Sequence, residues 1–126
     1  MNVLKILICL AVFGFLSSNS IAYAENNAEV KAALDQTVAK LEQAVAAYEK
    51  GEDTKAVVGM ILEAKQLQKP IATSDGKVSV IKAKANNNLG KARTSLNDGD
   101  TKGGGELLKE ALAGYKEVKE KYNASH

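Results

Sequence analysis

The chain has 126 residues, of which 45% are hydrophobic and 25% charged, with a formal net charge of +2. That near-neutral balance excludes a dedicated nucleic-acid binder, which carries a clustered basic excess, and the length fits one domain. There is no tryptophan, and proline and cysteine occur once each, so neither a disulfide framework nor a cysteine-based metal site is available.

The first segment reads as an export signal. Lys5 gives a short basic start, residues 6–16 form an apolar run, and a more polar stretch ends in Ala22-Tyr23-Ala24. Those three parts in that order form a cleavable secretory signal peptide over 1–24, with cleavage expected after Ala24. The apolar run is too short to span a bilayer, which takes about 20 residues. Cys9 lies near its beginning rather than at a lipidation position, so the exported protein is expected to carry no thiol. Removing 24 of the 126 residues leaves a domain over 25–126, with sixteen basic against fifteen acidic side chains. The expected compartment is the periplasm or the exterior, and no transmembrane span is expected after cleavage.

Four amphipathic helices follow in chain order. In the first, 27–49, Val30, Leu34, Thr37, Leu41, Ala44 and Tyr48 recur at steps of four and three, which keeps them on one face. Asn27 is the expected cap, and Gly51 stands just past the end, where a left-handed residue is wanted. In the second, 54–68, Val57, Met60, Ile61, Ala64 and Leu67 share a side; Asp53 or Thr54 caps it, and Pro70 forbids continuation. The third, 76–97, carries Val78, Ile81, Ala85, Leu89, Ala92 and Leu96, although Val78-Ser79-Val80 would suit a strand and Asn86-Asn87-Asn88 are poor helix formers. The fourth, 101–122, carries Leu108, Ala111, Leu112, Tyr115, Val118 and Tyr122. Its opening triplet Gly103-Gly104-Gly105 predicts a frayed first turn.

Short links at Gly51 and Gly99 imply two antiparallel hairpins. The expected fold is therefore all-α, an up-down-up-down four-helix bundle. The hairpins also read as a weak internal repeat. Leu41, Ala44, Gly51-Glu52-Asp53-Thr54-Lys55 and Glu63-Ala64 match Leu89, Ala92, Gly99-Asp100-Thr101-Lys102 and Glu110-Ala111, with one residue dropped from the first turn.

Candidate sites are few. His126 is the sole histidine, so no zinc site is indicated, and haem ligation by Met60 and His126 lacks support because Met60 sits at a core position. Hard cations take oxygen ligands. The carboxylates at the two turns, Glu49, Glu52 and Asp53, and Asp98 and Asp100, together with His126, are therefore the candidate ligands for a divalent metal ion. The competing role for Asp53 and Asp100 is helix capping. From Lys77 to Arg93 there are five positive charges and no acid. Lys77, Lys84 and Lys91, seven apart, share a helix edge and are candidates for binding an envelope protein or an anionic ligand. The plainer role for such an edge is to pair with carboxylates of a neighbouring helix. No nucleophile and base stand in a catalytic pattern, so no enzyme is expected.

The run Ala44-Val45-Ala46-Ala47-Tyr48-Glu49-Lys50-Gly51-Glu52-Asp53-Thr54 with Leu62-Glu63-Ala64-Lys65, and its second copy Leu89-Gly90-Lys91-Ala92, Asn97-Asp98-Gly99-Asp100 and Lys109-Glu110-Ala111, resembles the small metal-binding proteins of bacterial periplasms. The resemblance implies a short exported four-helix bundle. Members of that family bind divalent metals through many histidines, and this chain offers only His126, so no ligand carries over. The expected function is a non-enzymatic exported bundle with at most weak divalent-metal binding, or alternatively an envelope interaction module using the basic edge.

Overall fold

The computed structural model describes residues 27–126. The proposed signal segment and Cys9 lie outside the described residues. Four helices fill almost all of the rest: α1, Asn27–Glu49; α2, Thr54–Leu67; α3, Gly76–Asn97; and α4, Thr101–Ser125. Each packs on its neighbour in sequence, and α4 closes the ring against α1. This is the expected up-down-up-down bundle. Among the described residues no helix is long and apolar enough to cross a membrane.

The hairpin turns are built alike. The residues Gly51 and Gly99 adopt φ of 75° and 90°, a region in which a side chain would clash. Around each glycine two backbone bonds close a Schellman motif: Glu52 N–H to Ala47 and Gly51 N–H to Tyr48, then Asp100 N–H to Ser95 and Gly99 N–H to Leu96. An aspartate then caps the next helix. Asp53 accepts from Lys55 N–H at 3.3 Å, and Asp100 accepts from Gly103 N–H at 3.0 Å. The second turn lacks one residue between glycine and cap, where the repeat needed its gap. At the other end of the bundle, Asp75 caps α3 by accepting from Lys77 N–H at 2.9 Å. Two local expectations are corrected. Asn27 does not serve as a cap; it is already helical, and its side-chain Oδ1 accepts from the Tyr122 hydroxyl at 2.6 Å, tying α1 to α4. Nor is the glycine triplet a frayed turn: all three glycines are helical, and Gly104 and Gly105 are buried.

Close packing explains that triplet. A Cβ on Gly104 would stand 2.6 Å from Leu96 Cγ and 3.2 Å from the Ala92 carbonyl oxygen, and one on Gly105 would strike the Tyr48 ring. Further along, a Cβ on Gly114 would stand 2.8 Å from that of Ala85. Small residues thus let α3 and α4 approach closely, and theirs is the most extensive helix contact in the bundle. The core is the set of predicted stripes: Val30, Leu34, Leu41, Ile61, Ala64, Leu89, Ala92, Leu108, Ala111, Tyr115, Val118 and Tyr122 are all buried. Ile71, in the link between α2 and α3, is buried as well and seals the bundle where Pro70 has ended the helix.

Charge sets the register of α1 against α4. Asp35, Glu42 and Glu49, seven apart, meet Lys119, Lys116 and Lys109 at 3.0, 3.6 and 3.4 Å. Each exposed pair contributes only ~0–1 kcal/mol, but a row of three disfavours sliding by a turn.

Thr37 interrupts the stripe of α1. It is fully buried and its hydroxyl has no hydrogen-bond partner among the described residues. An unmet buried hydroxyl costs about 1–3 kcal/mol, whereas an apolar side chain of the same shape carries no such penalty. Thr37→Val is therefore expected to raise stability by about 1 kcal/mol, a gain of roughly 5 °C in melting temperature for a domain of this size. Thermal melts followed by circular dichroism will show it, and a lower melting temperature would mean that the hydroxyl is satisfied in solution.

Candidate functional site

The six candidate metal ligands are held apart by the fold. Glu49, Glu52, Asp53, Asp98 and Asp100 sit at the turn end of the bundle, but three of them have structural work. Glu49 pairs with Lys109, and Asp53 and Asp100 cap helices. Glu52 and Asp98 are exposed. His126 lies at the opposite end, about 37 Å away along α4 at 1.5 Å per residue. There it stacks on Tyr122, ring centroids 4.1 Å apart, with Nδ1 3.1 Å from the Tyr122 carbonyl oxygen. Its own backbone oxygen accepts from Lys31 Nζ at 3.1 Å. Among the described residues no three histidine, cysteine, aspartate or glutamate side chains converge as a ligand set.

The basic edge is organised differently. Lys77, Lys84 and Lys91 are all exposed along α3. The plainer expectation, that they pair with a neighbouring helix, is not met. Five of the seven lysines of α1 and α4 find carboxylates, as in Lys40–Glu63 at 2.9 Å and Lys121–Glu117 at 4.0 Å. Among the described residues no carboxylate lies within 4.0 Å of Lys77, Lys82, Lys84, Lys91 or Arg93. Part of the cause is in the sequence, since α3 has no acid of its own; on the neighbouring helices Glu63 of α2 pairs with Lys40 of α1 and Glu117 of α4 with Lys121.

An open trough runs along α3, walled by Lys65 of α2 and Leu107 of α4. Asn86, Asn87, Gly90, Lys91, Arg93 and Thr94 line it. Lys65 Nζ donates to Asn86 Oδ1 at 3.3 Å. Burial, and secondarily the Arg93 guanidinium, hold the Lys65 ammonium below the ordinary lysine pKa. Burial does the same to Lys82. The Thr94 hydroxyl is committed to the Gly90 carbonyl at 3.1 Å. Of the three lysines singled out in the sequence, the trough includes only Lys91. Lys65, Arg93 and the asparagine pair were not read as site residues. For Arg93 and the asparagines the signal was the acid-free basic stretch together with the otherwise unexplained Asn86-Asn87-Asn88 run; Lys65 had none. Asn88 is buried beside Leu89, while Asn86 and Asn87 face the trough.

Comparison with known protein families, curated proteins and solved structures finds no match to this chain. The four-helix all-α fold therefore stands on the structure itself, and the functional reading must come from the geometry of α3.

Proposed function

We propose that this protein is a non-enzymatic, exported helical bundle that works as a binding module for anionic partners in the cell envelope, with α3 as its contact face. The observation that carries the reading is the contrast between helices: among the described residues five of the seven lysines on α1 and α4 are paired with carboxylates, whereas none of the five cations on α3 is. Uncompensated charge on one face attracts and orients an oppositely charged partner over a Debye length of about 8–10 Å. The signal segment read at 1–24 supports an envelope location. The bundle is the scaffold of the periplasmic small metal-binding proteins that the sequence resembles, but its working surface lies on α3 rather than at the turns. Divalent metals bind at most weakly, at exposed carboxylates such as Glu52 and Asp98.

Titration with a polyphosphate chain as a soluble polyanion tests this reading. The parent protein is expected to bind at low ionic strength and to lose affinity steeply as salt rises. Joint replacement Lys77→Glu, Lys84→Glu and Lys91→Glu should weaken binding at least about 100-fold, since like charge on a contact face costs several kcal/mol. Reversal of Lys55, on α2, is the control and should change it by less than about threefold. Absence of binding at low salt, or equal loss in the control, would sink the reading.

A further inference from the structure

The trough beside Lys65 has a more specific chemistry than the rest of the α3 face. Three cations line it, Lys65 from α2 and Lys91 and Arg93 from α3, and no carboxylate does. A ligand carrying a single negative charge would leave two of them uncompensated. A dianion comes closer to balance.

The donors also differ in kind. Lys65 offers an ammonium on a flexible stem and Arg93 a planar fork of N–H groups, and the two stand on different helices. With Asn86 Oδ1 accepting from Lys65, the amide NH2 of Asn86 remains as a donor, and that of Asn87 adds another. The Thr94 hydroxyl, bonded to Gly90, does not join them. Charged and neutral donors arriving from two helices suit a group with four oxygens better than a flat carboxylate.

The middle of the trough is kept open by a residue that helices disfavour. Gly90 lies within α3, where glycine is the poorest helix former after proline. A Cβ there would come to 3.9 Å from Lys65 Nζ, so any longer side chain would enter the space in front of the ammonium. Lys65 itself is held in an unfavourable position, partly desolvated and beside the Arg93 charge. An anion bound in the trough that both line would offset that repulsion.

We propose that Lys65, Asn86, Asn87 and Arg93, with Lys91 at the rim, form a binding site for a doubly charged tetrahedral oxyanion, a phosphate or sulfate group. The inference rests on the reading of α3 as the anion-facing surface and narrows it to one ligand chemistry. Free phosphate and the phosphomonoester headgroup of phosphatidic acid share that chemistry.

The test uses the full chain, titrated calorimetrically with inorganic phosphate and then with sulfate against constant chloride. Saturable binding in the millimolar range is expected. Lys65→Gln and Arg93→Gln should each weaken it at least about tenfold, because each removes a charged donor. Gly90→Leu should weaken it comparably while removing no donor, and should not lower the melting temperature, because leucine is the better helix former. Lys55→Glu, on α2 and outside the trough, should leave it within about threefold. Vesicles containing phosphatidic acid, set against phosphatidylcholine alone, separate the two sources. Arg93-dependent binding to the former assigns the site to a headgroup, and phosphate binding without vesicle binding assigns it to a soluble ester or ion. If phosphate and sulfate give no saturable heat, or if Lys65→Gln and Arg93→Gln bind like the parent, the site is overturned. Persistence of polyphosphate binding in that case would leave the broader α3 reading standing, and loss of both would end it too.

Discussion

Tyr115→Ala is expected to cost about 4 kcal/mol, the usual range for emptying a buried aromatic site, and to lower the melting temperature by roughly 20 °C. Tyr115 is completely buried and, with Tyr122, is the largest such side chain in the core. With so few aromatic residues in the chain, nothing nearby of similar bulk can fill the space. Tyr115→Phe separates the ring from the hydroxyl. The hydroxyl donates to Gln68 Oε1 at 3.4 Å, a long bond, so its loss should cost only about 1 kcal/mol.

The same pair of proteins carries a pH signature. Burial raises the Tyr115 pKa well above the ordinary tyrosine value. Between the unfolded value near 10 and the raised folded one, the folded state holds a proton that the unfolded state has released. Stability contributed by Tyr115 is then fully present below about pH 10 and falls as pH rises further. The parent should therefore lose stability above pH 10 faster than Tyr115→Phe, and the gap between them should narrow. Lys65 and Lys82, whose folded pKa values are lowered, contribute an opposite slope just below the ordinary lysine value. They are present in both proteins and cancel in the comparison. Urea unfolding at pH 7, 9, 10 and 11 measures it, and parallel curves would show that the phenol is solvated.

Gly104→Val should cost about 3 kcal/mol by overpacking, or roughly 15 °C. The added atoms meet Leu96, itself buried, and the backbone oxygen of Ala92, so the strain can be relieved only by pushing α3 from α4. Gly59→Ala is the contrast. Gly59 lies inside α2 with nothing within 4 Å of a built Cβ, so alanine should stabilise by about 1 kcal/mol through helix propensity alone. Opposite signs for the two glycines would establish that the triplet is there for close approach. A neutral Gly104→Val would instead return it to the frayed turn that composition suggests.

That triplet shows where the sequence stopped being legible. Helix bounds and the buried stripes follow from spacing, because an apolar face repeating at steps of three and four can be buried only as a helix. The two turns were equally readable, since a glycine at positive φ followed by an aspartate cap leaves little choice of geometry. Val78-Ser79-Val80, with its strand-like alternation, was overridden by Asp75 capping the helix before it and by the stripe from Ala85 to Leu96 after it. What did not show was cross-helix proximity. Glycine's propensity argues for fraying, and only the neighbour's position reveals why glycine is needed. The seating of Ile71 and the bond from Tyr122 to Asn27 have the same origin.

The site divides in the same way. That α3 is basic and acid-free is written in the chain. That its lysines find no carboxylate among the described residues depends on where the acids of α2 and α4 are engaged, a property of the assembled bundle. The turn acids looked like a cluster in sequence because they are close in number. In the fold, capping and the Lys109 ion pair engage three of the five, and His126 is carried to the far end. Lys65 was invisible as a site residue, for it belongs to another helix and reaches Asn86 across 21 positions.

The most direct test of α3 as the working face is a map of backbone amide shifts in the isotope-labelled full chain as polyphosphate is added. Perturbations are expected along residues 77–94 and at Lys65, saturating together and shrinking with added salt, while the two turns and the α1–α4 seam stay unmoved. Perturbations centred on residues 49–53 and 98–100, or spread evenly over every exposed lysine, would contradict it.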